Sequence, residues 1–255
     1  MRPVAATLYV FPGSHASMAA RLMLEEKGIE YKRVDLMPVI SKAVVKALRF
    51  PGTTVPALKL DDRRIQGTMK LARELDRLRP EPPLLPGDPE RRAAVEEAER
   101  WGDDAFQRMT RRISWNAIGR DRSSIGTYAE GARLGIPLGI ATKTAAPIIA
   151  AAVRFNRASD DAVRADLAGL PGALDRIDDW ITEGVLGGET SNAADFQIAT
   201  SARLLMTLDD LHPAIESRPA GQLATRVVPE FPGRIGPVYP TPWLEPLREA
   251  AATPS

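Results

Sequence analysis

Cysteine is absent from this 255-residue sequence, and histidine occurs only twice, at His15 and His212. Without cysteine the protein can form no disulfide, bind no metal through thiolates and supply no sulfur nucleophile of its own. The two histidines are far apart in the sequence, which argues against a zinc site built on imidazole ligands. We therefore expect no metal cofactor and no disulfide exchange chemistry.

A strong excess of one charge and long uninterrupted apolar segments are also missing. The 34 basic residues almost balance the 33 acidic ones, so the whole-chain charge predicts no nucleic-acid or membrane-surface partner. Met1 to Val10 lacks the apolar core of a signal peptide, which favours a cytoplasmic location. Leu134 to Val153 is apolar but is broken by two prolines, a lysine and two glycines, so we predict buried helix pieces and no membrane span.

The first eighty residues alternate short β-rich runs with amphipathic helical runs. Pro12-Gly13 ends the first strand run and Gly28 ends the first helical run. The predicted order is therefore βαβαββα. Strands are predicted at Leu8–Phe11, Ile29–Leu36, Val55–Leu60 and Arg63–Ile65, and helices at Ala16–Lys27, Val39–Leu48 and Met69–Leu78.

Five prolines between Pro80 and Pro89 favour a stiff, extended connection and mark a domain boundary. Beyond them, apolar residues recur every three or four positions, which predicts an all-helical part. The predicted domains are a first domain at 1–79, a linker at 80–89 and a helical domain at 90–255. Pro171-Gly172 should kink or split the helix predicted there, and the proline-rich tail after Val228 should be largely irregular and wrap over the helices.

Three segments carry the most specific patterns of the chain. The first is LYVFPGSHASMAARLMLEEKGIEY, a strand, a turn and a helix. The second is TTVPALKLDDRRIQGTMKLARELDRLRPEPPLLP, a strand pair, a helix and a linker, and the third is LDRIDDWITEGVLGGETSNAADFQIA. In this order and spacing they resemble the glutathione transferase family. The resemblance covers about residues 7–89 and 170–210 and leaves 103–169 and the tail without a counterpart.

The resemblance implies a thioredoxin-like α/β domain followed by an all-helical domain. It implies glutathione as co-substrate, a small hydrophobic molecule as its partner in the cleft, and a homodimer. The implied detoxification enzyme would stabilise the glutathione thiolate and add it to a hydrophobic electrophile, and peroxide reduction or isomerisation would use the same groups. The alternative is a non-catalytic binding or regulatory protein on the same scaffold.

Ser14 lies at the position of the catalytic serine in the zeta-like and theta-like classes of that family. Because it lies between a strand and a helix, it is also a natural N-cap, and the helix terminus favours an anion. In one interpretation its hydroxyl donates a hydrogen bond to the sulfur of bound glutathione and lowers the pKa of the thiol. In the other interpretation it only caps the helix.

Ser14 to Ser17 occupy the place of a redox CxxC motif, with serine in place of both cysteines. His15, inside this segment, either contacts the thiol or faces solvent from the first helical turn. Tyr9 is a second candidate hydroxyl, because some classes use a tyrosine near the end of the first strand. Its register is about one residue off, so Ser14 is the preferred candidate.

The resemblance implies further glutathione-binding residues at Val55, Pro56, Gly67 and Thr68. A cis bond before Pro56 would turn the Val55 backbone outward to pair with an extended peptide, and an ordinary trans proline is the alternative. Thr68 is predicted to cap the third helix and to receive the γ-glutamyl carboxylate, or only to cap the helix. Gly67 departs from the glutamate or glutamine common in the family, so Gln66 or Arg64 would have to replace that contact, or the ligand is another thiol.

Two segments of the helical part carry recognisable polar patterns. Asn192 to Asp195 predict a capping box with no catalytic role. A basic stretch either marks a site for an anionic acceptor or forms a solvated face. Its arginines are Arg108, Arg111, Arg112, Arg120 and Arg122, interleaved with Trp115.

Overall fold

The computed structural model describes residues 5–133 and 145–252, and it begins with a four-stranded mixed sheet in the order β2-β1-β3-β4. β1 pairs in parallel with β2, where Tyr9 lies opposite Val34, and antiparallel with β3, where Tyr9 lies opposite Ala57. β3 also pairs antiparallel with β4. The strands are β1 (Ala6–Val10), β2 (Lys32–Asp35), β3 (Ala57–Leu60) and β4 (Arg63–Gln66).

Helices alternate with these strands and then make up the rest of the described chain. In the first part they are α1 (His15–Glu26), α2 (Pro38–Ala47) and α3 (Thr68–Leu78). In the second part they are α4 (Pro89–Trp101), α5 (Gln107–Arg120), α6 (Ile125–Tyr128), α7 (Ala146–Phe155), α8 (Asp160–Thr182), α9 (Ala193–Leu205), α10 (His212–Glu216), α11 (Pro219–Val227) and α12 (Thr241–Ala252). The predicted order βαβαββα and the predicted class, a thioredoxin-like domain followed by helices, are both confirmed.

A shared hydrophobic core joins the sheet domain to the helices. α9 lies at its centre and packs against α1, α5 and α11, and its residues are buried except for Arg203. Asn192 and Asp195 form the predicted capping box, in which Asp195 Oδ2 accepts from the Asn192 N–H at 2.8 Å. α2 covers the other face of the sheet over a smaller core around Val45 and Phe50.

The prolines of the helical part interrupt its helices less than the sequence predicted. α8 runs without interruption through Pro171, because its buried face, which includes Leu167 and Leu174, packs along α5, α11 and α12. The tail is irregular only as far as Pro240, and residues 241–252 form α12 with Pro242 in its first turn, where the missing N–H costs nothing. The tail does wrap over the helices as predicted, since the Tyr239 hydroxyl donates to the Ile113 carbonyl at 2.6 Å.

The apolar run from Leu134 to Val153 is described only in part. Residues 134–144 lie outside the described residues. The remainder is helical in α7, where Ile149 is buried against the core. Within the described ranges, no helix is long and apolar enough to cross a membrane.

Candidate active site

Four turns of the chain meet at one edge of the sheet, at the end of β1. Val10 is the last residue of β1, and its carbonyl accepts from the Leu36 N–H at 2.9 Å, which brings the turn after β2 alongside. Tyr9 lies opposite Ala57 and Ala57 lies opposite Gln66, so the start of β3 and the end of β4 are at the same edge. This register brings the turns that carry Ser14, Val55 and Thr68 to the same end of the sheet.

Ser14 is the N-cap of α1, with an extended backbone and a half-buried side chain. Its Oγ accepts a hydrogen bond from the Ser17 N–H at 3.3 Å. Ser17 Oγ in turn accepts from the Phe11 N–H at 3.2 Å, which closes the turn between β1 and α1. Ser14 is therefore a helix cap, and because an accepting hydroxyl keeps its own proton, it can also donate to a bound group.

Ser14 lines a cavity of about 590 Å³ that runs along one face of α1. Met18, Arg21 and Glu25 follow Ser14 on this face at helical spacing, and Phe231 of the tail lies across from them. Val55, Pro56, Gly67 and Thr68 do not line this cavity. Of the predicted site residues, Ser14 is therefore the one that lines this cavity.

Tyr128 packs against the turn between β1 and α1, residues 11–14, which is called the active-site turn below because it carries the candidate residue Ser14. A Cβ at Gly13, where φ is +71°, would lie 2.9 Å from Tyr128 Cβ, so this close approach requires glycine. The Tyr128 hydroxyl is hydrogen-bonded to Thr207 Oγ1 at 2.6 Å, and burial raises the pKa of Tyr128 to about 12. The Tyr128 side chain therefore stays a neutral phenol at neutral pH, and its packing fixes the position of the turn.

The loop before β3 is held by side chains of β4. The Val55–Pro56 peptide bond is cis, as predicted. Gln66 Oε1 accepts from the Gly52 N–H at 2.5 Å, and Arg64 Nε donates to the Leu48 carbonyl at 2.6 Å. Both side chains are engaged in holding this loop, so neither replaces the side chain that Gly67 lacks.

The prediction that Thr68 caps α3 is wrong, because α3 begins one residue earlier than the sequence predicted. Gly67 is the N-cap, with a φ of +87° that favours glycine, and Thr68 is the first helical residue. The Thr68 side chain is buried, and its hydroxyl donates to Gln197 Oε1 of α9 at 3.0 Å. This hydrogen bond joins the two domains. Because the Thr68 hydroxyl is used in it, an anion at the N-terminus of α3 would contact backbone N–H groups instead.

Tyr9 and His15 lie away from the cavity. The Tyr9 ring packs edge-on against Phe50 at 5.8 Å, in the small core under α2. His15 is only 2% exposed, so the prediction of a solvent-facing ring is wrong, and it is not among the cavity-lining residues. Its ring faces α5, where burial and the nearby Arg111 lower the pKa of His15 to about 3.

The buried neutral His15 predicts an acid sensitivity of folding. Below its ordinary pKa of 6.5 the ring is protonated in the unfolded chain but stays neutral in the folded one, so stability falls as pH falls. We expect His15 to reduce the free energy of unfolding by about 2 kcal/mol between pH 7 and pH 5. Urea unfolding of the wild type and His15→Gln at both pH values measures this term.

The matched substitution at the other histidine, His212→Gln, is the control for this prediction. It should retain the acid-induced loss of the wild type, whereas His15→Gln should show a loss smaller by about 2 kcal/mol. Equal losses in all three proteins would show that His15 does not carry the effect.

Three arginines of the basic stretch, Arg111, Arg112 and Arg120, lie on α5 and have polar partners. Arg112 is hydrogen-bonded to Asp166 through two nitrogens, and Arg120 lies 2.8 Å from Asp160. Arg111 is half-buried and donates to Gln107 Oε1 at 3.1 Å. Its face of α5 also carries Trp115, which stacks on Phe11 of the active-site turn with ring centroids 6.2 Å apart. The interpretation of a solvated face therefore fits the exposed Arg108, Arg120 and Arg122 but not the half-buried Arg111 and Arg112.

Sequence reasoning missed Met18, Arg21 and Glu25 as cavity residues, although their helical spacing from Ser14 was a usable signal. It also missed Tyr128 and Phe231. No pattern near either residue indicates the active-site turn, because both reach it only through tertiary packing. Among the described residues there is no cluster of histidine and carboxylate side chains able to hold a metal ion.

Residues 8–83 match the family described as glutathione S-transferase, N-terminal domain. Maleylacetoacetate isomerase of Rattus norvegicus is 35% identical to the chain over 92 residues. Residues 8–83 are therefore a glutathione S-transferase N-terminal domain. The match covers 34% of this chain and 43% of that relative, so the chain spans less than half of the curated relative's length.

The glutathione transferase fold extends well beyond the matched domain. A glutathione S-transferase from Rhodospirillum rubrum F11 gives a TM-score of 0.58 at 21% identity, covering 94% of this chain and 99% of that one. A glutathione transferase homologue from sulfitobacter, solved with bound glutathione, gives 0.52 at 17% identity, covering 87% and 91%. At these identities the likeness establishes the shared fold.

Proposed function

We propose that this glutathione transferase relative is a glutathione-dependent enzyme in which Ser14 stabilises the glutathione thiolate. Glutathione lies along the sheet edge, with its backbone paired to Val55 and its γ-glutamyl carboxylate at the N-terminus of α3. Its sulfur lies at Ser14, where the cavity begins. The family match to residues 8–83 supports this ligand, since that domain contains all three positions.

The observation that carries the proposal is the Ser14 hydroxyl, which caps α1 and also lines the cavity. Because its oxygen accepts from the Ser17 N–H, the O–H bond is polarised and becomes a better donor. The unpaired N–H groups of the first turn add partial positive charge beside it. These groups together favour a thiolate over a thiol.

The second substrate in this proposal is a small hydrophobic molecule in the cavity, beside Met18 and Phe231. The thiolate forms a bond to an electrophilic carbon of that molecule, and a leaving group such as chloride departs with the electron pair of the bond that breaks. Ser14 keeps the sulfur ionised until the new bond forms. The rat relative is named an isomerase. The same thiolate can isomerise a conjugated double bond by adding to it, allowing rotation about the resulting single bond, and leaving again.

A non-catalytic binding protein is the second candidate, and the start of α3 favours it. Gly67 has no side chain that could contact the ligand, and the Thr68 hydroxyl donates its hydrogen bond to Gln197. The γ-glutamyl end of glutathione would then have fewer polar partners than in the enzymes the sequence resembles.

Calorimetric titration with glutathione, followed by turnover assays, tests the two candidates. We expect binding, with turnover of either a chlorinated aromatic electrophile or a cis-conjugated acid. Binding without turnover of any such substrate would favour the binding protein, and no binding would overturn both. We also propose a homodimer, as the family resemblance implies, and sedimentation equilibrium measures it directly.

Gly67→Gln should strengthen glutathione binding. A Cβ at this position meets nothing within 4 Å, so a side chain has room to reach the ligand's amino group. One added hydrogen bond to a charged group should lower the Kd for glutathione about tenfold. The positive φ should cost about 1 kcal/mol of stability. Calorimetry measures the first effect and urea unfolding the second.

Gly87→Gln is the matched control, because Gly87 also has open space around its Cβ position but lies in the linker without a positive φ. It should change neither the Kd nor the free energy of unfolding. If Gly67→Gln leaves the Kd unchanged or raises it, the ligand's amino group does not lie at this position.

A further inference from the structure

α2 and α7 lie side by side and carry basic residues without acidic ones. Residues 36–60 contain four basic side chains and residues 131–159 contain four more, while neither stretch contains Asp or Glu. The two helices meet where Lys42 Nζ lies 3.6 Å from the centroid of the Phe155 ring. The α2–α7 patch consists of the exposed residues Lys42, Lys46, Arg49, Arg154, Phe155 and Arg157.

Within the part of the chain that the structure describes, no acidic side chain pairs with the cations of the α2–α7 patch. Among the described residues, no carboxylate lies within 4 Å of any of its five cations, and the residues outside those ranges contain no Asp or Glu. The flanking carboxylates of Asp35 and Asp160 are paired with Arg33 and Arg120. The near-neutral charge of the whole chain therefore conceals a locally cationic surface.

An apolar surface lies within this cationic rim. Phe155 is 65% exposed, the only large hydrophobic side chain so exposed in the described part of the chain. The rest of the exposed face of α7 is almost entirely apolar, with Ala146, Pro147, Ala150 and Ala151. An exposed aromatic ring beside alanines and proline offers no hydrogen bonds to a polar partner. Such a combination is typical of helices that rest on the surface of a bilayer.

We propose that the α2–α7 patch docks this protein reversibly on anionic lipid bilayers. The five cations lie against lipid phosphates and carboxylates, and Phe155 enters the headgroup region. The positive charge of the patch favours an anionic surface. The apolar face of α7 favours lipid over nucleic acid, because a nucleic acid would need hydrogen-bond donors and acceptors on that face. This docking uses none of the residues of the proposed glutathione site.

Vesicle co-sedimentation of the full chain tests the proposal. We expect binding to phosphatidylcholine vesicles that contain phosphatidylserine, little binding to pure phosphatidylcholine, and a marked loss when salt is raised severalfold. The double variant Lys42→Gln/Arg154→Gln should weaken the partition coefficient about 30-fold. Phe155→Ser should weaken it about tenfold.

Lys32→Gln/Arg122→Gln is the matched control, because it removes two exposed cations elsewhere on the molecule. It should bind vesicles like the wild type, and circular dichroism should show all variants folded. Equal binding to neutral and anionic vesicles, no binding to either, or an equal loss in the control pair would overturn the proposal. It would also fail if Phe155→Ser bound vesicles normally while duplex DNA competed fully for the patch.

Discussion

Ser14→Ala should raise the pKa of the thiol of bound glutathione by about one to two units. The hydroxyl contributes a charge-assisted hydrogen bond to the thiolate, worth about 1.5–3 kcal/mol, and alanine cannot replace it. At neutral pH the same loss should lower kcat/KM about 10- to 100-fold. Ultraviolet absorbance of the thiolate across a pH range measures the pKa, and steady-state kinetics measure the second effect.

Ser14→Thr is the conservative control for this experiment, because threonine keeps both the hydroxyl and a good N-cap. It should retain most of the activity and a low thiol pKa. Ser14→Ala also removes the cap to the Ser17 N–H, at a cost of about 1 kcal/mol of stability, which urea unfolding separates from the chemical effect. If Ser14→Ala leaves the thiol pKa unchanged, Ser14 is only a cap.

Lys27→Met should lower the free energy of unfolding by about 3–5 kcal/mol. The Lys27 side chain is fully buried, its Nζ lies 2.6 Å from Asp76 Oδ1 and donates to the Arg79 carbonyl at 2.7 Å. It also donates to the Pro82 carbonyl in the linker. Methionine fills the volume of the lysine side chain but leaves the Asp76 carboxylate and these carbonyls without their cation. Removing one partner of a buried ion pair is strongly destabilising, because the charge of the other partner is left uncompensated.

Lys32→Met, at an exposed lysine on β2, is the control and should stay within about 0.5 kcal/mol of the wild type in urea unfolding. A loss below about 1 kcal/mol in Lys27→Met would show that the linker is held by its other contacts. Among these, Asp76 also accepts hydrogen bonds from the Leu84 and Leu85 N–H groups.

The strands and helices of the first domain were predictable because their signals are local. Pro12-Gly13 and Gly28 end β1 and α1 within a few residues of the predicted positions. The capping box at Asn192 and Asp195 was predictable for the same reason, since its hydrogen bonds join residues three apart. A pattern of this kind contains both partners of the interaction.

The errors fall where distant residues decide the outcome. Proline chemistry argues for a break at Pro171, yet packing against three other helices keeps α8 continuous. His15 was predicted to contact the thiol or face solvent, but α5 buries it. The contact of the Thr68 hydroxyl with Gln197, 129 residues away in the sequence, had no local signal, and Gln197 Oε1 accepts the hydrogen bond from that hydroxyl.

From its sequence alone this chain determines the order of its elements, the family resemblance and Ser14 at a helix N-terminus, because each depends on residues that are neighbours along the chain. Only the tertiary structure decides which groups surround Ser14, that Lys27 holds the linker, and that α2 and α7 form one cationic surface. Those features depend on distances between segments far apart in sequence, and packing rather than local preference determines such distances.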